Sequence, residues 1–312
     1  MRSRARLLQR LRAFFEERGV LEVETPVLSS AAATDAALES FCTRWLGSDR
    51  PAGQTLYLQT SPELPMKRLL AAGSGPIYQV CKVFRDGERG RFHHPEFTLL
   101  EWYRPGWQLG ALIDEVAALV RVLLDRPSLT AKVVRYRDLF LERFELDPWE
   151  AGIPALRSAA REAGLVGRER LELSRDGWLD LLLSQCIEPT LGRDCMTFIR
   201  DYPPSQAALA RVCPGPPPVA GRFELYLDGI ELANGFDELT DPAEQRSRFE
   251  SDLRARKAAG LPQPPIDEAF LEALESGLPS SAGVALGLDR LLMHALRVEH
   301  IDSVLTFPAE RA

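Results

Sequence analysis

The stretch that decides the fold is IYQVCKVFRDGERGRFHHPEFTLLEWYR, residues 77 to 104. Its two ends, 77 to 85 and 96 to 104, are rich in β-branched and aromatic residues, which favour strands. The residues between them, 86 to 95, are polar and contain glycine, which is typical of a loop between strands. The sequence therefore predicts two neighbouring strands joined by a charged loop.

Helices and further strands are predicted on both sides of this stretch. Apolar residues recur at helical spacing from about Arg4 to Arg18, and Gly19 ends that helix. Asp228-Gly229 is a strong hairpin signal, and a loop is expected from Gly47 to Gly53. The other predicted strands are 20–25, 56–59, 222–227, 230–232 and 283–287, and the other helices are 63–70, 109–124, 242–257, 266–275 and 288–296, with a helical region at 139–191 and an irregular proline-rich one at 201–221.

Runs of antiparallel strands with helices segregated between them are typical of an α+β fold rather than a doubly wound sheet. No change in composition along the chain indicates a second domain. We therefore expect a single domain over residues 1–312, with an antiparallel β-sheet flanked by helices.

The composition of the chain excludes several classes of protein. Its 312 residues are 45% hydrophobic and 27% charged, as in soluble globular proteins. It has no signal-peptide pattern and no apolar run of about 18 residues, so we expect a cytoplasmic protein. The five cysteines are scattered and form no CxxC pair, which argues against disulfides and structural zinc. The net charge of −7 does not indicate a nucleic-acid-binding surface.

Two carboxylates, Glu224 and Glu231, flank the Asp228-Gly229 turn. A hairpin can bring such side chains together, and adjacent carboxylates repel unless a cation lies between them. Hard oxygen ligands favour Mg²⁺. Two solvent-facing strand residues are the alternative.

Three arginines and two histidines lie in the loop RDGERGRFHHP, residues 85 to 95. Guanidinium groups beside glycines can bind phosphate, although a charged hairpin tip explains the same composition. The segment GVALGLDR, 283 to 290, places glycines before a helix, where an anion can approach the backbone. Alone, this second signal is weak.

Taken in order, these segments resemble a known family. The first helix with its strand and Pro26, then FRDGERGRFHHPEF (84–97) and GVALGLDR (283–290), resemble motifs 1, 2 and 3 of the class II aminoacyl-tRNA synthetases. The blocks similar to the lysyl branch are TSPELPMKRLL (60–70), HPEFTLLEWYRP (94–105), GIELANGFDELTD (229–241) and GVALGLDRLLM (283–293). The resemblance covers essentially the whole catalytic domain and starts at motif 1, so we expect no anticodon-binding OB domain.

Within this branch the chain resembles the elongation factor P–(R)-β-lysine ligases, paralogues that attach β-lysine to a lysine of a translation factor. Ser61 and Ala285 match the ligases, whereas lysyl-tRNA synthetases usually carry Ala and Gly there. The differences add a hydroxyl and a methyl group to the amino-acid pocket. Such changes can alter the free energy of substrate binding by about 1–3 kcal/mol.

The resemblance implies that the carboxylate of the amino acid attacks the α-phosphate of ATP, while the protein aligns the two anions. It assigns Arg85 to the α-phosphate, Arg290 to the γ-phosphate and Phe97 to the adenine, with Arg290 over its other face. Glu224 and Glu231 would hold Mg²⁺. The implied ATP-binding residues are Arg85, Asp86, Glu88, His93, Phe97, Glu231, Leu232, Gly287 and Arg290, of which Arg85, Glu231 and Arg290 are catalytic.

A lysine-like substrate carries two ammonium groups, so its pocket should be acidic. The resemblance implies that Glu63, Glu101 and Glu238 bind them. Packing roles remain an alternative for Phe97, Phe236 and Tyr103. The implied substrate-binding residues are Ser61, Pro62, Glu63, His94, Glu101, Tyr103, Asn234, Phe236, Glu238 and Ala285.

The sequence departs from the family at two positions. Gly87 stands where motif 2 usually has a Glu that contacts the adenine amino group, so Glu88 or Asp86 would have to replace it. His94 stands where the family has Asn, and its charge depends on pH.

These observations predict a homodimeric, ATP-dependent ligase that acts on (R)-β-lysine and elongation factor P. The apolar stripe from Leu7 to Phe15, with Val20 and Val23, would supply the dimer interface. A truncated lysyl-tRNA synthetase and a non-catalytic regulator are the alternatives. The presence of Arg85, Glu224, Glu231 and Arg290 argues against the regulator.

Overall fold

The structure is a computed structural model that describes residues 1–47, 50–166 and 171–312. The chain divides into two compact units: unit 1 comprises Met1–Trp107 and Thr240–Ala312, and unit 2 comprises Gln108–Leu239. The helices are α1 (Arg2–Glu16), α2 (Glu63–Ala71), α3 (Leu109–Leu124), α4 (Tyr136–Phe144), α5 (Ile153–Glu162), α6 (Arg175–Leu182), α7 (Pro242–Ala258), α8 (Glu268–Gly277) and α9 (Leu288–Leu296). The strands are β1 (Leu21–Glu22), β2 (Leu28–Ser29), β3 (Cys42–Gly47), β4 (Arg50–Leu58), β5 (Ile77–Phe84), β6 (Glu96–Pro105), β7 (Ala131–Arg135), β8 (Met196–Tyr202), β9 (Val212–Cys213), β10 (Val219–Leu227), β11 (Ile230–Asp237) and β12 (Ser281–Gly287).

The first helix, α1, packs on its own unit. Its apolar residues at helical spacing, Leu7, Leu11, Phe14 and Phe15, are all buried. Phe15 stacks on Tyr78 of β5, with ring centroids 4.4 Å apart. The stripe predicted to form a dimer interface is therefore already covered within the chain, and that part of the prediction is wrong.

The predicted strand pair around the charged loop is confirmed in unit 1. β5 and β6 pair antiparallel from Ile77 opposite Tyr103 to Phe84 opposite Glu96. β12 pairs antiparallel with β6, and β1 pairs parallel with β5. β6 therefore has a neighbour on each side, which explains its nearly continuous burial.

A smaller antiparallel sheet in unit 1 consists of β2, β4 and β3 in that order. The hairpin loop predicted from Gly47 to Gly53 does connect two antiparallel strands, but it is wrong at Gly47 and at residues 50–53, because β3 ends at Gly47 and β4 begins at Arg50. Residues 48 and 49 of that predicted loop lie outside the described residues.

Unit 2 has its own sheet, in the order β11, β10, β8, β7. The predicted hairpin between β10 and β11 is confirmed, with Asp228 at φ 50° and Gly229 at φ 74°. This left-handed geometry at both central residues is what the Asp-Gly pair predicts. Helices α4, α5 and α6 share a buried core with strands β8 and β10.

The elements missed by the sequence analysis are β2, β3, β7, β8 and β9. β7 and β8 pair parallel, and β9 lies within the segment predicted to be irregular. The mixed helix and sheet content, with mostly antiparallel pairing, confirms the α+β class. None of the helices in the described ranges combines the length and apolar character that a membrane span requires.

Candidate active site

Arg85 follows directly after β5 and begins the charged loop. Its backbone N–H donates to the Pro95 carbonyl oxygen at 2.9 Å, which closes the loop at its base. Its guanidinium lies 5.1 Å from the ring centroid of Phe97 and donates to Glu88 Oε1 at 3.4 Å. Its Nε donates to the Thr60 carbonyl oxygen, also at 3.4 Å. The loop thus holds a cation, a carboxylate and an aromatic ring together.

The departure from the family at Gly87 has a conformational explanation. Gly87 has φ 78°, a left-handed backbone that side chains rarely adopt. Asp86 Oδ1 accepts a hydrogen bond from the Gly87 N–H at 2.8 Å, so the Asp86 carboxylate binds the backbone of its own loop. Glu88 is therefore the carboxylate that lies beside Arg85.

Arg290, in the first turn of α9, reaches the same loop. Its Nε donates to the Phe92 carbonyl oxygen at 3.1 Å, and its Nη2 lies 2.8 Å from His93 Nε2. Because a guanidinium cannot accept a hydrogen bond, His93 Nε2 must be the acceptor. Burial, and then the charge of Arg290, lower the pKa of His93, so its imidazole is neutral. Gly287 lies just before α9, as its N-cap.

An acidic cluster, at residues that the sequence analysis assigned to the amino-acid pocket, begins one residue after Thr60. The Ser61 hydroxyl donates to Glu101 Oε2 at 2.8 Å, and the Tyr103 hydroxyl donates to Glu101 Oε1 at 2.6 Å. Burial, and then the charge of Glu63, raise the pKa of Glu101 to about 7. The two hydroxyl groups act in the opposite direction, because they donate to the charged form.

Helix α2 starts at this pocket, with Pro62 as its N-cap. The Ser61 hydroxyl accepts the Glu63 N–H at 3.0 Å, which fixes the first turn of the helix. One turn later, Lys67 Nζ lies 2.6 Å from Glu63 Oε1, and the Lys67 side chain is fully buried. The sequence analysis missed Lys67, although the Glu-Lys spacing of four residues is a pattern that predicts a helical ion pair.

Ala285 lies opposite Glu101 in the antiparallel pairing of β12 with β6. Directly opposite residues of such a pair project their side chains from the same face of the sheet. The methyl group of Ala285 therefore belongs to the same face as the Glu101 carboxylate.

His94 is almost completely buried and makes contacts at both ring nitrogens. Nε2 accepts the Ala309 N–H at 2.9 Å, and Nδ1 lies 2.6 Å from the Glu96 carbonyl oxygen. The structure thus places His94 between the loop and the last residues of the chain, and its predicted substrate contact stays a prediction.

In unit 2, Glu224 is surrounded by hydrogen-bond donors. The hydroxyl groups of Tyr202 and Tyr226 each donate to Glu224 Oε2 at 2.6 Å, and Arg222 forms an ion pair with Oε1. Arg222 also donates to Asn234 Oδ1 at 3.2 Å, and its guanidinium lies 6.0 Å from the Phe236 ring. Asn234 and Phe236 therefore lie near Glu224.

A cavity of about 500 Å³ in unit 2 is lined by Glu224 and Glu231 together with Asp180, Glu188 and Arg222. Burial, and then the charge of Glu224, raise the pKa of Glu188 to about 7. Burial raises the pKa of Asp180 to about 6, although Arg222 acts in the opposite direction. Four carboxylates therefore line the cavity together with one guanidinium, that of Arg222.

The residues present fit a magnesium ion that is bound together with a nucleotide. Within residues 1–47, 50–166 and 171–312, no three metal-ligating side chains form a cluster that could hold an ion alone. Mg²⁺ is usually bound through one or two carboxylates plus water and phosphate oxygens. Glu224 and Glu231 supply two carboxylates on the wall of one cavity whose charge a cation would offset.

Most predicted residues fall into local groups within their own unit. Leu232 and Glu238 are both buried, each 2% exposed, and Glu238 lies in a β-bridge with Ala210. Unit 1 brings together Arg85, Glu88, His93, Phe97 and Arg290, and separately Ser61, Pro62, Glu63, Glu101, Tyr103 and Ala285; unit 2 brings together Glu224, Glu231, Asn234 and Phe236.

Sequence comparison assigns the chain to a class of protein. The profile of the family described as tRNA synthetases class II (D, K and N) matches residues 1–311. The chain therefore belongs to the class II tRNA synthetase family, as its antiparallel sheets and charged loop indicate.

More particular relatives cover nearly the whole chain. The protein is 50% identical to a protein of Erwinia tasmaniensis, over 99% of this chain and 94% of the relative. It is 50% identical to a protein of Pectobacterium atrosepticum, over 99% and 95%, and to one of Vibrio cholerae, over 100% and 96%. Each of these relatives is named elongation factor P–(R)-β-lysine ligase.

Proposed function

We propose that this protein activates (R)-β-lysine as its adenylate with ATP and transfers it to a lysine side chain of elongation factor P. One observation supports the adenylation step in particular. Arg85 donates to the carbonyl oxygen of Thr60, and the next residue, Ser61, donates to Glu101. A phosphate-binding cation thus lies one residue away from an acidic pocket that suits an amine. Adenylation needs this neighbourhood, because an amino-acid carboxylate must meet the α-phosphate.

On the nucleotide side, Arg85 and Arg290 neutralise phosphate charge. Each guanidinium is oriented by a backbone carbonyl oxygen of unit 1. His93 stays neutral beside Arg290 and adds no charge of its own. Phe97 offers a ring face to adenine.

Glu224 and Glu231 would hold Mg²⁺, which supplies charge neutralisation at phosphate oxygens when it is bound. Tyr202, Tyr226 and Arg222 fix the orientation of Glu224. Glu231 then supplies the second carboxylate on the cavity wall.

On the amino-acid side, Glu101 and Glu63 bind an ammonium group, and Tyr103 orients Glu101. The substrate carboxylate attacks the α-phosphorus, and pyrophosphate leaves. The acceptor amine then attacks the acyl carbon, AMP leaves, and one proton is released. The names of relatives that are 50% identical support β-lysine and elongation factor P as the two substrates.

The surface of the charged loop supports a protein acceptor over tRNA. Arg89 is paired with Asp302 and Glu310, and Arg91 donates to the Glu299 carbonyl oxygen. These loop arginines are thus engaged by the C-terminal residues rather than presented as a basic patch. Binding to nucleic acid depends on basic groups that replace phosphate counterions.

We also propose a cytoplasmic homodimer. With the Leu7–Phe15 stripe covered, the proposed interface moves to exposed apolar residues next to α1, namely Leu21, Val27 and Leu28. Light scattering at micromolar concentration should give twice the 34.8 kDa chain mass. A monomer under these conditions would refute the dimer without touching the enzymatic proposal.

The test of the activity is pyrophosphate exchange across a panel of amino acids. We expect exchange with (R)-β-lysine and, more weakly, with L-α-lysine, and none with amino acids of similar length that lack the side-chain ammonium group. Equal exchange with uncharged amino acids, or none with either lysine, would contradict the proposal.

A further inference from the structure

Lys67 is a charged side chain in the interior of unit 1. It is 0% exposed, and its Nζ lies 2.6 Å from Glu63 Oε1 and 6.0 Å from the ring centroid of Phe270. Burial of an ammonium group is costly unless a counter-charge and hydrogen bonds compensate it. The chain retains such a group directly beside the acidic pocket.

The position of Lys67 determines how Glu63 can act. Oε1 of Glu63 is held by Lys67, and its backbone N–H is held by the Ser61 hydroxyl. The carboxylate is therefore fixed at one oxygen and at the main chain. Any ligand ammonium group that reaches Glu63 must share a carboxylate whose charge is already partly balanced.

The charges of Glu63, Glu101 and Lys67 also limit what the acidic pocket can bind. Glu63 and Glu101 interact unfavourably, since the charge of Glu63 raises the pKa of Glu101, while Lys67 acts in the opposite direction. When Glu101 is ionised, two carboxylates and one ammonium group leave a charge of −1 in this pocket. That charge matches one ammonium group, not two.

We propose that Lys67 is a positioning residue that sets the recognition of one amine of the substrate: it orients Glu63 and favours the ionised form of Glu101. The inference rests on the proposed function, because it assumes that this pocket receives a lysine-like amino acid. It adds a residue that acts through Glu63 and Glu101 and does not itself contact ATP.

The competing explanation is a structural ion pair with no part in recognition. Loss of Lys67 would then lower stability and nothing else. Kinetics separates the two explanations, because recognition changes the KM for the amino acid while a structural defect does not select one substrate.

The experiment measures pyrophosphate exchange for the unmodified protein, Lys67→Met, Lys67→Arg and the matched control Arg256→Met. Arg256 is also a buried cation in unit 1, but its carboxylate partner is Glu39 rather than Glu63. We expect Lys67→Met to raise the KM for β-lysine about tenfold or more, the scale of a hydrogen bond to a charged group, with little change in the KM for ATP. Arg256→Met should lower the melting temperature and leave the KM for β-lysine unchanged. Lys67→Arg keeps the charge and should recover part of the affinity.

Two further measurements distinguish a role in recognition from a loss of stability, and Lys67→Arg replaces Lys67→Met in the first of them if Lys67→Met folds poorly. In Glu63→Gln, adding Lys67→Met should have much less effect on the KM for β-lysine than it has alone, because Lys67 acts largely through Glu63. The pH dependence of KM should also move to higher pH in Lys67→Met, since Glu101 loses a nearby positive charge. Full additivity of the two substitutions, or an unchanged KM in Lys67→Met, would overturn the inference while exchange by the unmodified protein still upheld the function. No exchange by the unmodified protein would overturn both.

Discussion

The Ser61 hydroxyl lies 2.8 Å from Glu101 Oε2 and donates a hydrogen bond to it, inside a pocket where Glu101 is only 2% exposed. A buried carboxylate that stays ionised needs such donors. Where the lysyl synthetases usually have alanine, this chain therefore has a hydroxyl that favours the charged form of an ammonium-binding group. Two predictions on the amino-acid site follow from the surroundings of Glu101.

The first prediction concerns pH. Glu101 has a pKa raised to about 7, so it is protonated below that pH and ionised above it. Binding of an ammonium group requires the ionised form, and the KM for β-lysine should therefore fall as the pH rises through about 7. Ser61→Ala removes a donor to the charged form, so it should raise the pKa and move this fall to higher pH. The KM for ATP is the internal control, and a pH-independent KM for β-lysine would contradict the assignment.

The second prediction concerns Ala285, which lies opposite Glu101 in the β6–β12 pairing. Its methyl group occupies space on the face that carries the carboxylate, where an α-amino acid would need room. Ala285→Gly should raise kcat/KM for L-α-lysine relative to (R)-β-lysine by about tenfold, within the range that one methyl group gives. Ala282→Gly, on the same strand opposite Arg104, is the control. If the unmodified protein used both lysines equally, the reason for preferring the β-lysine ligase would disappear.

Arg290 supplies a third prediction. Arg290→Ala should raise the KM for ATP about tenfold or more, because it loses a charge-assisted phosphate contact and the cover over adenine. The control is Arg91→Ala, which removes an exposed arginine from the loop that Arg290 contacts. Arg91 pairs with Glu299, and its loss should leave ATP binding close to normal. Equal effects of the two substitutions would show that general loop charge, not the position of Arg290, is what matters.

A fourth prediction tests the metal assignment in unit 2. Glu231→Gln keeps the side-chain volume but removes one charge from the cavity wall that Glu224 shares. Exchange activity should fall about 100-fold or more, since a metal ligand is worth several kcal/mol to phosphoryl chemistry. The melting temperature should stay near that of the exposed control Glu162→Gln. The Mg²⁺ concentration for half-maximal exchange should rise in any residual activity, and an unchanged Mg²⁺ dependence would refute the assignment.

Local patterns were sufficient to predict the fold class and many of the elements. The strand pair around residues 86–95 and the β10–β11 hairpin both follow from local signals, namely β-branched runs and an Asp-Gly turn. The sequence analysis did not predict β7 and β8, because they pair parallel with each other across about 60 residues of the chain. No local turn marks such a pair, and its stability comes from distant contacts.

Some residues of the candidate site could likewise be predicted from local motifs, whereas others depend on contacts that only the structure shows. Arg85, Glu224 and Arg290 stand in recognisable motifs, but Lys67 became visible only through its burial. Gly87 shows the opposite case, because a departure from the motif is explained by its φ of 78°. The sequence could not show that His94 reaches Ala309, which lies 215 residues further along the chain.

The last prediction concerns the acceptor: the activated residue goes to a lysine side chain of elongation factor P and not to tRNA. The net charge of the chain is −7. In the charged loop, Arg89 is paired with Asp302 and Glu310, and Arg91 donates to the Glu299 carbonyl oxygen. The protein therefore has few basic groups in this loop that could replace the counterions of tRNA phosphates. An adenylate is open to attack by an amine as well as by a ribose hydroxyl. Incubation of the protein, ATP and labelled β-lysine with elongation factor P should label the factor, and its variant without the acceptor lysine should stay unlabelled. In a parallel reaction total tRNA should stay unlabelled, and Arg89→Ala should not change that. Label on tRNA with the factor unmodified would identify a tRNA-charging enzyme and refute the proposed acceptor, while adenylate formation would stand.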